Sequence, residues 1–187
     1  MPYIIKGIFR DRNSGKTETD VELLWRSPTP VSFTRMFGPD TATSLPANTW
    51  VSLPLEPDAI QPVLEVGDKC WVPVNQGDPD YSSHPNGIRC LRDGIYSFSA
   101  AAIFDNNQGT GDRGIRIVEV KGPNVGLPGL VVSQIMPKFS DAGLLVSGDA
   151  YEYIDSIVEL QVRSTVNTST TATPKSEWLC VTLVNCR

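Results

Sequence analysis

The pattern of hydrophobic and polar positions is organised around Gly94-Ile-Tyr-Ser-Phe-Ser-Ala-Ala-Ala-Ile-Phe-Asp-Asn-Asn107, which reads as one long strand. A two-residue period puts Tyr96, Phe98, Ala100, Ala102 and Phe104 on one face, and Ile95, Ser97, Ser99, Ala101 and Ile103 on the other. Both faces are fairly apolar and hold small residues, which predicts an interior strand packed on both sides. Asp105–Asp112 is rich in residues that tolerate positive φ and cap their own backbone, and Gly111–Glu119 reads as the returning strand. The two runs predict a long hairpin.

The same reading continues along the chain. Thr49–Leu55, Lys69–Pro73, Ile88–Arg92, Leu130–Met136, Gly143–Gly148, Ile157–Arg163 and Trp178–Val184 are strand-like runs separated by Gly, Pro, Asn or Ser/Thr clusters. Ile157–Arg163 is the cleanest half-buried strand, with Val158, Leu160 and Val162 inward and Glu159, Gln161 and Arg163 outward. Residues 75–87 and 165–173 have loop composition. No amphipathic helical segment stands out, and no internal repeat. About eight strands without intervening helices predict an all-β antiparallel sandwich or jelly roll over residues 46–187.

Residues 1–45 differ in character. Tyr3–Arg10 and Asp20–Arg26 form a plausible short hairpin, Ser27-Pro-Thr-Pro30 breaks it off, and Phe33, Met36 and Phe37 add apolar weight without a period. A hairpin this short needs something to pack against. Two readings are open: an attachment arm whose docking residues are Trp25, Phe33 and Phe37, or extra strands on the edge of the main domain.

Composition narrows the function. The 187 residues suffice for one domain with its own core. A net charge of −5 argues against a nucleic-acid partner, and no window has the run of apolar residues that a membrane helix needs. The start has no signal-peptide pattern, which predicts synthesis and retention in a cytoplasm, or release by lysis. Cys70, Cys90, Cys180 and Cys186 match no zinc spacing and read as buried thiols in strands, with Cys186 the one expected to be exposed.

Candidate chemistry is sparse. His84 is the single histidine and reads as a surface loop residue; no nucleophile elbow accompanies it. Asp78/Asp80 and Asp149/Glu152 are carboxylate pairs with nothing to set them apart from a solvated surface. Asp105 and Asp112, with Asn106 and Asn107, could line a calcium site, although turn chemistry accounts for them equally. Gly109-Thr-Gly111 lacks the lysine and helix of a phosphate loop, and the sequon at Asn167 matters only in a glycosylating compartment. The sequence therefore predicts no enzyme and no cofactor.

Three places resemble the jelly-roll domain shared by complement C1q and tumour necrosis factor. Gly94-Ile-Tyr-Ser-Phe-Ser is similar to that family's Gly-x-Tyr-x-Phe/Val-Ser strand; Phe104-Asp-Asn-Asn…Arg113-Gly-Ile-Arg-Ile resembles the variant of viral and bacterial members; and Trp50 resembles the tryptophan of their first strand. Ile157–Val162 and Trp178–Leu183 fit the last two strands, although Ile154-Asp155-Ser156 stands where the family often has Gly-Asp. The resemblance implies a compact homotrimer, with Ile95, Ala101 and Ile103 in the interface. The alternative is a monomer in which the N-terminal hairpin covers those side chains. It also implies a structural protein of a virus particle, a capsid decoration or minor virion protein of a tailed bacteriophage bound to major capsid or tail proteins. A receptor-binding module at a tail tip or fibre, reading host glycan or protein through loops 75–87, 105–112 and 165–175, is the competing expectation.

Overall fold

A computed structural model describes residues 33–57, 70–105, 111–125, 130–137, 143–173 and 176–185. Thirteen strands and no helix occur among them. In chain order these are β1 (Phe33–Phe37), β2 (Ser44–Leu45), β3 (Trp50–Ser52), β4 (Glu56–Pro57), β5 (Trp71–Pro73), β6 (Ile88–Cys90) and β7 (Gly94–Ala102). They continue with β8 (Asp112–Lys121), β9 (Leu130–Pro137), β10 (Leu144–Glu152), β11 (Ile157–Ser164), β12 (Thr168–Ser169) and β13 (Trp178–Asn185). One sheet runs β10-β7-β13-β1-β4 and the other β5-β6-β11-β8-β9, with β3 also on β11; β12 and β2 form a small ribbon. The strand pairs are antiparallel throughout. The expected antiparallel jelly roll is the observed fold, but the long hairpin expected of Gly94–Asn107 and Gly111–Glu119 does not form. β7 bonds to β10 and β13 in one sheet and β8 to β11 and β9 in the other, because each strand buries one face in the core between the layers.

The core lies between the sheets and is built by the alternation read from the sequence. Tyr96, Phe98, Ala100 and Ala102 of β7 are fully buried, facing Ile115, Ile117, Val158, Leu160 and Val162 of the other layer. Trp71 stands edge-on to Tyr96 at 5.2 Å and to Phe98 at 5.6 Å, an arrangement favoured by the ring quadrupoles. The Tyr96 hydroxyl donates to the Arg92 carbonyl, so its burial leaves no orphan polar group.

The compact unit starts earlier than the boundary drawn at residue 45. It spans Val31–Arg187, and β1 lies inside the first sheet, bonded to β13 on one side and β4 on the other. Phe33–Phe37 showed no clear period because Met36 points into the core while Phe37, on the other face, is covered as well. Three short strands, β2, β4 and β12, also went unpredicted, and β10 is longer than expected, continuing through Asp149–Glu152.

Two carboxyls are buried between the layers. Glu152 is 1% exposed and Glu119 3%, and Ser156 donates its hydroxyl to Glu119 Oε1 at 3.0 Å. The Gly122 turn presses on the same carboxylate: at φ 143°, a Cβ there would sit 1.7 Å from Glu119 Oε1, so only glycine fits. Burial first, and the Glu119 charge second, push the Glu152 carboxyl up to about 8. The folded chain thus keeps a proton that the unfolded chain releases near 4.5. The resulting stability is fully present below that value and is lost as pH rises through about 8. Glu152→Gln keeps the neutral form. It is expected to flatten the decline, leaving the melting temperature little changed near pH 5 and raising it by several degrees near pH 9; thermal unfolding across that range checks it.

Candidate assembly face

Each sheet has one face in the core and one turned away, and the two outer faces differ in chemistry. On the β10-β7-β13-β1-β4 sheet, register fixes which side chains share the outer face. Ala101 lies between Leu145 and Trp178, Ser99 between Ser147 and Cys180, and Ser97 between Asp149 and Thr182; Ile95 pairs with Tyr151. The centre is made of small residues, and its flanks are apolar: Leu145 and Val184 are each 60% exposed, Ile95 40% and Ile103 38%. An apolar face of this kind, with small side chains that let another backbone approach, is the surface feature that signals association. The three residues expected there, Ile95, Ala101 and Ile103, do share it. Leu145, Tyr151, Trp178 and Val184 join them and were missed, because adjacent apolar pairs such as Leu144-Leu145 do not reveal which member faces out.

The docking residues named from the sequence fare differently. Phe33 is in β1 opposite Thr182. Phe37 is only 8% exposed and lies under the Arg35 guanidinium at 4.7 Å, so it offers little surface to a partner. Trp25 lies outside the described residues, as does the hairpin of residues 3–26.

The other sheet carries a polar network on its outer face. Glu159 of β11 accepts from Ser52 of β3 and, at 2.8 Å, from Gln161 Nε2; His84 Nδ1 lies 3.3 Å from its other oxygen. Arg116 of β8 reaches Gln161 Oε1 through Nε at 2.8 Å and stacks over Trp50 at 4.2 Å. His84 is therefore half-buried and ties its loop to the sheet, contrary to the expectation of a surface residue without a role. The same loop is anchored again at Arg89, which donates to Asp78 at 2.6 Å and Asp80 at 2.7 Å, while Lys121 donates to Asp80 at 2.6 Å. The Asp80 backbone amide and then Arg89 hold the Asp78 carboxyl below its ordinary range; Lys121 and then Arg89 do so for Asp80. Both are ionised acceptors rather than an acid–base pair. Asp149 and Glu152 cannot act together either: Asp149 is exposed on the outer face of β10 and Glu152 is buried on the opposite one.

Asp105 is half-buried, with its amide on the Ser169 carbonyl, and Asp112 is exposed, with its amide on Thr165 Oγ1. Residues 106–110 between them lie outside the described residues. Among those described, no group of three or more His, Cys, Asp or Glu is placed to hold a metal ion. Cys70, Cys90 and Cys180 are free thiols, the first two buried; Cys186 lies outside the described residues.

No protein-family profile and no curated protein matches the chain. Solved structures do. Murine APRIL, crystallised at pH 5.0, superposes with a TM-score of 0.54 at 14% identity, covering 82% of this chain and 99% of that one. Eiger TNF from S. frugiperda gives 0.51 at 10% identity, covering 84% and 95%. At such identities the likeness concerns the fold: the chain is an antiparallel jelly roll of the tumour-necrosis-factor kind.

Removing the acceptor at the centre of the polar network tests its role. Glu159→Ala leaves Ser52, Gln161 and His84 without their shared partner and should cost roughly 1–3 kcal/mol. Hydrogen exchange in residues 75–87 should speed up together with the loss of stability, measured by denaturant unfolding.

Proposed function

We propose that this protein is a non-enzymatic homotrimer that serves as a structural part of a virus particle, a capsid decoration or minor virion protein of a tailed bacteriophage. One observation carries the trimer: the outer face of the β10-β7-β13-β1-β4 sheet, small in its centre and apolar at Ile95, Ile103, Leu145 and Val184. Threefold closure covers such a face with further copies of itself and leaves no open end. The polar outer face of the other sheet then remains in water, which agrees with its charge network. The viral setting draws support from the Phe104…Arg113 segment, which resembles viral and bacterial jelly-roll members. Its partners are then major capsid or tail proteins, it is made in the host cytoplasm, and residues 1–30, with Trp25, form the docking segment.

A receptor-binding role at a tail tip is the second reading. It is favoured by the way Arg89, Lys121 and His84 fasten loop 75–87 to the sheet, because a pre-ordered loop loses little entropy on binding.

Light scattering should return three times the 20.4 kDa chain mass. Leu145→Asp and Ile103→Asp, which place a carboxylate without a partner in the contact, should each weaken assembly by roughly 3 kcal/mol or more and yield folded monomers. A stable trimer from both variants would put those side chains elsewhere. Deletion of residues 1–30 should leave the oligomer intact but abolish co-sedimentation with particles. Host-cell adsorption by the truncated protein would favour the receptor reading instead.

A further inference from the structure

The outer face of the β10-β7-β13-β1-β4 sheet holds its charges only at the two margins. The central strands present Ile95, Ser97, Ser99, Ala101, Trp178, Cys180, Thr182 and Val184, none of them charged. On the β10 margin Asp149 is exposed and makes no ion pair among the described residues. Toward the opposite margin, on β1 beside the short edge strand β4, stands Arg35, the only cation on this face among the described residues. Its strand neighbours Thr34 and Met36 point into the core, and its register partner Cys180 lies on the outer face.

Arg35 is held in an unusual state. Its guanidinium lies over Phe37 at 4.7 Å and Trp178 at 5.4 Å, so two rings fix its position. Its Nε is buried and has no hydrogen-bond partner, and among the described residues it makes no ion pair, although Glu56 stands exposed on the same margin beside Phe37. Arg163 Nε on the other sheet is likewise unpartnered, but Arg163 still reaches Asn48 Oδ1 through Nη2 at 3.2 Å, whereas the Arg35 side chain makes no hydrogen bond among the described residues. A stacked, pre-oriented fork is suited to a carboxylate approaching in its plane.

We propose that Asp149 of one copy pairs with the guanidinium of Arg35 of the next copy around the ring, a pairing that rests on the homotrimer reading above. A cyclic threefold interface is heterologous: each copy presents one part of its surface to a different part of its neighbour. Bringing the β10 margin of one copy onto the β1–β4 side of the next joins Asp149 to Arg35, three times over. The uncharged centre is then enclosed behind a charged rim, the usual anatomy of a specific contact. A ring of the opposite hand, or one shifted along the strands, leaves Arg35 unanswered, so the pair also sets the register of assembly.

A charge swap in the full-length chain decides this. Arg35→Asp, Asp149→Arg and the double variant are compared with the parent by sedimentation over a wide range of concentration, with circular dichroism to follow folding. Each single change should raise the concentration at which the trimer dissociates by about tenfold or more, and the double change should restore it to within about threefold of the parent. Asp149 is on the surface, so its variant reports on assembly even if Arg35→Asp fails to fold; Arg35→Gln then takes the second place, and Asp149→Arg must not weaken assembly further in its presence. A parent trimer that either single variant leaves unchanged, or that the double variant fails to recover, overturns the pairing while the trimer stands. A parent that is monomeric at every concentration overturns the homotrimer reading itself.

Discussion

The structure depends on the two-sided demand placed on β7. One of its faces must supply Tyr96, Phe98 and two alanines to the core, and its hydrogen-bonding edges must both be filled, by β10 and by β13. Once those pairings are set, the period of two dictates the face that remains, and the small residues Ser97, Ser99 and Ala101 make it nearly flat. Every neighbouring strand inherits its inside and outside from this register. That is why Leu145 and Val184, distant in sequence, end up beside Ile95 and Ile103 on one surface.

The two sheets resolve the same problem in different ways. The outer face of the β11 sheet is largely finished within the chain: carboxylate, amide, hydroxyl and guanidinium groups answer one another, the Arg116 guanidinium stacks over the Trp50 indole, and only Arg163 Nε is left without a partner among the described residues there. The outer face of the β7 sheet is not finished in this sense. It holds a stacked cation with an unanswered N–H and a band of apolar side chains in water.

Much of this was readable from the residues. The alternation of β7 and β11 and the absence of helical periodicity led directly to an antiparallel jelly roll, and the period of two put Ile95, Ala101 and Ile103 on one face. The pairing of β7 with β8 as a hairpin was misread, since the chain crosses between sheets from one strand to the other. What escaped depends on pairing between remote segments. Phe33–Phe37 has no legible period because both its faces are covered, and only the bond ladder to β13 reveals it as an interior strand. His84 gave no sign of its link to Glu159, since that contact joins residues 75 positions apart. The burial of Glu152 was likewise invisible: a carboxylate two residues from Ala150 reads as solvent-facing until the second sheet is laid over it.

The place of β13 has a consequence for how the chain comes to its native state. This strand is late in the sequence yet central in its sheet, seated between β7 and β1. Until it arrives, β7 keeps a bare edge and β1 has lost the neighbour that holds it, so neither half of the sheet can close. A nascent chain emerging from the ribosome therefore carries β7 with an unpaired edge until its last residues are made, the circumstance in which strands find the wrong partner. With so many pairings between distant segments, folding is expected to be slow. The small and hydroxyl-bearing side chains along β7 then act as a safeguard during that wait, because they make the exposed strand a poorer template for aggregation than a run of leucine or valine.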